Sequence, residues 1–310
     1  MSDLEKKITD TNAECAKELN SSVLFPVVEK LRAHGTCETV LRRVLASSNR
    51  EQALLALTAQ LGHAPEQHGT GAFALPRALL AGVALQNLKR LETLPLETSV
   101  KSTLCDYCKF FVSPPAGEVR LFDPSQYSFQ ALAKIALLER FPAGHFDWEI
   151  SGFPRSWLLK IPFRSLPKVS YFFARQLKGF APYIVPHMAF RRKNPLMLIQ
   201  RECEKSWYRM AISAEQQPEI RGLVACSWLF SPDTFKVSPH LSFLVKPFLE
   251  SGALTTTRGR AEVSEGFLAG SEVRRKLYKS GEFKPTMGLV LWARKQMIQW
   301  AHQHPELSEA

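Results

Sequence analysis

Apolar residues recur at helical spacing through most of residues 4–62. Leu24, Val27, Val28 and Leu31 share one side of such a repeat, Val40, Leu41, Val44 and Leu45 share another, and Lys and Arg fill the opposite sides. Gly35 separates the two runs, and a further helix predicted over 51–61 stops at Gly62. The stretch from His63 to Gly71, rich in Gly, His and Pro, reads as a loop. Helical spacing returns over Ala74–Leu94, where Pro76 is tolerated because a first-turn amide has no partner to lose. The pattern predicts a helical region over residues 1–140.

Beyond it the period changes. Phe146-Asp-Trp-Glu-Ile and Trp157-Leu-Leu-Lys-Ile read as two strands of a hairpin. A long helix is predicted over Leu196–Gln217, followed by the strand Arg221–Leu229, whose Leu223, Val224, Ala225 and Cys226 are apolar on both faces as a central strand should be. Helices over His240–Ser251, Ser271–Ser280 and Lys295–His302 then alternate with strands over Ala253–Thr257 and Met287–Trp292. The chain therefore reads as an α+β or α/β protein, a helical N-terminal region followed by a mixed α/β sheet domain over 141–310.

Charge sharpens that division. Residues 1–150 hold 16 Lys and Arg against 17 Asp and Glu, whereas 151–310 hold 24 against 12, so the formal net charge of +11 belongs to the second part. All six tryptophans lie at or beyond Trp148. Ser151–Arg201 carries ten Lys or Arg and no carboxylate. Within it Leu166, Val169, Phe173, Leu177 and Phe180 project from one side of a helix, and Arg164, Lys168, Arg175 and Lys178 from the other. Such a helix can pack on a sheet and show a solvated basic face, or lie on an anionic membrane. The membrane reading, a non-catalytic peripheral protein docking through 164–193, expects Phe180, Ile184 and Phe190 exposed together beside Arg191, Arg192 and Lys193. The same residues suit a phosphate-bearing small molecule or, with less support, a nucleic acid.

The start of the chain lacks the apolar stretch of a signal peptide, and no apolar run is long enough to span a bilayer, so the expectation is a cytoplasmic protein with free thiols. Cys105-Asp-Tyr-Cys108 has a metal-ligand or redox spacing, but no second pair follows; ordinary thiols are expected, no metal is assumed, and Lys109–Pro115 reads as an extended piece. Nucleophile-elbow, phosphate-loop, dinucleotide-fingerprint and zinc-protease motifs are absent. Attention falls instead on Ser231–His240, the loop after the best strand. Ser238 reads as an N-cap followed by Pro239, with Lys236 nearby, a corner able to receive an anion, and Asp233 and His240 are polar groups that would meet a substrate there.

The order strand, loop, helix, strand, helix, strand over residues 221–292 resembles the second half of the Gcn5-related N-acetyltransferase fold. Arg275-Lys-Leu-Tyr278-Lys-Ser-Gly281-Glu-Phe283 is similar to that family's late helix, in which a tyrosine protonates the departing thiolate. The family's glycine-bearing pyrophosphate loop is not found, and Glu282 separates Gly281 from Phe283. The resemblance implies an acyltransferase-like enzyme using acyl-CoA or a similar phosphate-bearing or lipid-like donor. Tyr278 would then be the acid, Glu215 or Asp233 the base, with His240 as a further catalytic candidate. Lys236, Ser238, Arg191, Arg192 and Lys193 would hold the cofactor.

Overall fold

The computed structural model describes residues 2–22, 24–33, 35–61, 73–189, 198–260 and 271–308. The expected loop at 63–71, and Phe190, Arg191, Arg192 and Lys193, lie outside these residues. The fold is α+β, a helical N-terminal region followed by a mixed sheet. The chain divides into two compact units, one of residues 1–94 and 98–142, the other of 95–97 and 143–310.

The first unit holds α1 (Asp3–Ser21), α2 (Phe25–Ala33), α3 (Cys37–Ala46), α4 (Arg50–Gln60), α5 (Ala74–Leu88), α6 (Thr98–Val112), α7 (Tyr127–Ala136) and the short strand β1 (Arg140–Pro142). Caps start these helices where the sequence supplies them. Ser2 and Glu5 form a reciprocal capping box on α1, and Thr36 and Asn49 accept from the free amides of α3 and α4. Helix α5 is buried continuously from Pro76 to Ala84, as an element surrounded by other helices must be. Gly82 lets α3 approach it, since a Cβ there would lie 2.7 Å from Cys37 Sγ.

Two expectations fail in this unit. The helix predicted to Leu94 ends at Leu88 and tightens into a 3₁₀ turn, Lys89–Leu91. The extended reading of 109–115 is also wrong, because α6 continues to Val112, held by buried Phe110, Phe111 and Val112. Cys105 and Cys108 thus sit one turn apart on a helix, both buried. Burial pushes the Cys105 thiol up to about 11, and the hydrogen bond with Cys15, then burial, raises that of Cys108. Among the described residues, no group of three His, Cys, Asp or Glu side chains is placed to hold a metal ion.

The second unit holds β2 (Phe146–Ser151), α8 (Leu166–Phe172), β3 (Tyr183–Met188), α9 (Gln200–Glu215), β4 (Gly222–Ser227), α10 (Pro232–Val237), α11 (Lys246–Glu250), β5 (Leu254–Arg260), α12 (Glu272–Lys279), β6 (Thr286–Ala293) and α13 (Arg294–Gln303). Its strands lie in the order β2-β3-β4-β6-β5. The β2/β3, β4/β6 and β5/β6 neighbours are antiparallel, and β3/β4 is parallel. Strand β6 is buried from Gly288 to Ala293, with a partner on either side. Gly222 opens β4 at φ +150°, so close to β6 that a Cβ would fall 2.1 Å from Trp292 O.

Aromatic residues fill the layer on one face of this sheet. The Phe146 ring stacks on Trp207 of α9 at 4.3 Å, and Trp292 meets Trp300 of α13 edge-on at 5.5 Å. On the opposite face, Phe153, Ile161, Val169, Phe173 and Leu177 pack against Tyr183, Val224, Leu254, Leu289 and Leu291. Arg221 fastens this covering layer to the start of β4, donating from Nε to Ala181 O at 2.7 Å and from Nη1 to Lys178 O at 2.6 Å.

The amphipathic segment therefore packs on the sheet, although only 166–172 is α-helical and 173–177 widens into a π turn. Its expected lipid patch is not assembled as drawn, because Ile184 is buried in β3. The strand expected at 157–161 is instead a 3₁₀ turn, Arg155–Lys160. Pro154 and Pro162 bracket it and deny a ladder two amides, and the true hairpin partner of β2 is β3. The helix expected over 240–251 is split into a 3₁₀ turn, Pro239–Leu244, and α11, because Pro247 cannot donate across the junction. Among the described residues no helix is long and apolar enough to cross a membrane.

Candidate active site at an open sheet seam

The sheet is incompletely closed between its two parallel strands. Neighbours β2 and β3 pair from Phe146–Met188 to Ser151–Tyr183, and β4 and β6 from Gly222–Ala293 to Ser227–Gly288. In contrast, β3 and β4 pair at one register position, Ile184 with Leu223. That pairing lies near the amino ends of both strands, and no further register pair joins their carboxyl halves. Ala189 N donates to His145 O at 3.1 Å on the β2 side, so alternation turns the backbone groups of Ile184, Pro186 and Met188 toward β4. Pro186 has no N–H, which removes the donor that would carry the ladder past Ile184. Backbone groups at such an opening can pair with an extended ligand.

Polar side chains of β2 and β3 share one face of the sheet with apolar side chains of β4. Strand β2 alternates Phe146, Trp148 and Ile150 with Asp147 and Glu149, which places both carboxylates on one face. Asp147 is buried, and Glu149 lies 3.5 Å from His187 Nε2. The register explains this contact: His187 is opposite Asp147, and its ring reaches diagonally to Glu149, opposite Val185. Across the seam on the same face stand Val224 and Cys226 of β4. Arg258 of β5 donates to Cys226 Sγ at 3.4 Å and covers the Trp157 ring at 4.5 Å, while burial raises the Cys226 thiol pKa. A carboxylate-supported imidazole beside strand amides can move a proton and orient a carbonyl. No expectation from the sequence included this cluster, although Asp147 and Glu149 alternating within an apolar strand could have pointed to it.

The corner after β4 differs in part from its sequence expectation. Ser231 caps α10, accepting from Asp233 N at 3.3 Å with Pro232 as the first helical residue, and Ser238 holds the N-cap position of the 3₁₀ turn that begins at Pro239, as expected. Ser238 makes no capping bond; it is buried and accepts from Arg274 Nη1 at 3.2 Å. Its amide, donated to Thr234 O, is also occupied. The Asp233 carboxylate takes bonds from Lys236 Nζ at 2.9 Å and Thr286 Oγ1 at 2.8 Å, joining α10 to β6. Lys236, against an opposing effect of burial and with help from Thr286, holds the Asp233 pKa below its ordinary 3.8.

A carboxyl group with a depressed folded pKa stabilises the fold above its unfolded pKa, and that contribution disappears as the pH falls through the folded value. Asp233→Asn should therefore lower the urea midpoint at neutral pH by an amount worth about 1 kcal/mol or less, because an exposed Lys236 is screened. The difference from the unsubstituted protein should shrink as the pH is taken below 3.8.

The remaining candidates are scattered. His240 is exposed on the 3₁₀ turn after Ser238. Tyr278, exposed, lies one helical turn beyond Arg274 on α12, so the Arg274–Ser238 bond brings its helix to the corner. Glu215 ends α9 and meets His302 of α13 at 3.0 Å, while Arg294 donates to its carbonyl at 3.0 Å. Since Arg294 follows β6 where that strand meets Gly222, Glu215 lies at the amino end of β4, a strand's length from Asp233. These two carboxylates cannot serve one site. No protein-family model, curated protein or solved structure matches this chain.

Proposed function

We propose that the second unit is an acyltransferase-like enzyme whose donor is acyl-CoA, the donor's amide-bearing arm lying in the seam between β3 and β4. The reading is carried by the single pairing position of the two parallel strands, with His187 on one of them, its imidazole 3.5 Å from Glu149 of the neighbouring β2. The donor's arm carries amides that can pair with strand groups beyond Ile184 and Leu223. Its phosphates would be met by the basic residues of this unit, among them Lys236 at the corner.

In this reading an amine attacks the thioester carbonyl, the C–N bond forms and the C–S bond breaks. His187, held by Glu149, accepts the proton lost by the amine, and Tyr278 supplies the proton taken by the thiolate. A strand amide facing the seam donates a hydrogen bond to the carbonyl oxygen as negative charge develops on it. The base moves from Glu215 and Asp233 to His187 because the first is at the other end of β4 and the second is committed to Lys236 and Thr286.

The test is a thermal-shift series with acetyl-CoA and long-chain acyl-CoA. Ligand at about 100 times its dissociation constant should stabilise the protein by roughly 2.7 kcal/mol, a rise of a few degrees in Tm. A flat response to every acyl-CoA, with no thiol released on incubation with amines, would remove the reading.

A further inference from the structure

We infer that the outer side of the layer covering the sheet, residues 155–178, docks on an anionic phospholipid surface. This goes beyond the acyl-transfer reading and does not rest on it. The layer's inner side is occupied: Phe153, Ile161, Val169, Phe173 and Leu177 pack on the strands. Its outer side nevertheless presents Leu159 at 89%, Phe163 at 86% and Tyr171 at 66% exposure. A soluble surface gains nothing from leaving a leucine and a phenylalanine so fully in water, and these three fall within thirteen residues.

Their surroundings specify the occupant. Lys160, Arg164, Lys168, Arg175 and Lys178 are exposed around them, and no Asp or Glu occurs between Ser151 and Arg201. An interface with another protein gathers apolar residues at its centre and depletes charge there. Here apolar and cationic side chains interleave, which suits a bilayer: short apolar groups enter the acyl boundary while long Lys and Arg arms reach back to the phosphates. A single-stranded nucleic acid would match the cations and the rings, but Leu159 offers no ring face on which a base could stack. The 3₁₀ turns Arg155–Lys160 and Phe163–Ser165 hold Leu159 and Phe163 on a layer anchored from beneath, so docking orders little additional chain.

The experiment is co-sedimentation of the full chain with vesicles of phosphatidylcholine alone, and with vesicles of equal phosphatidylcholine and phosphatidylserine. Binding is expected to the mixed vesicles and to weaken with added salt. Leu159→Ser and Phe163→Ser, both at exposed positions, should each weaken it about tenfold, equivalent to roughly 1.4 kcal/mol. The Arg164→Gln, Lys168→Gln double variant should weaken binding to the mixed vesicles severalfold for each charge removed. Three results would overturn the inference: no sedimentation with the mixed vesicles, equal binding to neutral ones, or full binding by the Leu159→Ser, Phe163→Ser double variant. Retention of a single-stranded oligonucleotide without any binding to vesicles would do so as well, assigning the cations to nucleic acid.

Discussion

Replacing Gly222 with alanine should cost the second unit about 3–5 kcal/mol, a large part of the ~5–15 kcal/mol that holds a typical domain together. Two effects add. At φ +150° a residue with a Cβ is strained, by about 1–3 kcal/mol. The new atom would also fall 2.1 Å from Trp292 O and 3.0 Å from Arg294 N, both main-chain atoms of the neighbouring β6–α13 connection. No side chain can rotate out of the way, so β4 and β6 must separate where they begin to pair. Urea unfolding followed by tryptophan fluorescence reads this unit alone, because all six tryptophans lie between residues 148 and 300. Gly152→Ala, in the same unit, is the matched control, since a Cβ there makes only ordinary contacts at 3.5 Å, and its midpoint should hardly move.

His187→Gln is expected to lower the rate of acyl transfer by about 10²–10⁴-fold, the usual worth of a positioned general base. The amide keeps much of the ring's reach toward Glu149, 3.5 Å away in the protein, but it cannot take a proton at neutral pH. The loss should appear in kcat, with acyl-CoA affinity nearly unchanged, because the donor's arm is held by strand backbone. Parallel measurement of turnover and of the ligand-induced rise in Tm separates these quantities. Equal turnover in the two proteins would take the proton-transfer role away from His187.

The helical region was legible because its apolar residues repeat at 3.6 and its stops are chemical, Gly35 between the first two runs and Gly62 after the third, whereas the caps Thr36 and Asn49 were not read. Strand β6 was legible because its apolar run ends at charged Arg294 and Lys295. The turn at Arg155–Lys160 was not, since six residues with three large apolar side chains satisfy a strand and a 3₁₀ turn equally well until Pro154 and Pro162 are weighed. The serine–proline signal was applied at Ser238-Pro239 and overlooked at Ser231-Pro232, where the capping bond is formed. The His187–Glu149 pair depends on register between strands separated by more than thirty residues of chain. Local periodicity shows which face a side chain occupies, not which strand lies next to it.

The position of β6 has a consequence for the order in which the protein can assemble during synthesis. Strands β4 and β5 are made well before it, yet they have no pairing with one another and each waits for β6 to come between them. While residues 254–285 are leaving the ribosome, the apolar edge of β4, Leu223 to Cys226, has no partner on that side. The helical first unit, whose residues all precede 143, can finish folding in that interval. The nascent second unit, in contrast, is an unfinished sheet with an adhesive edge until residue 293 emerges, and that is when it is most exposed to chaperones and to pairing with the wrong strand.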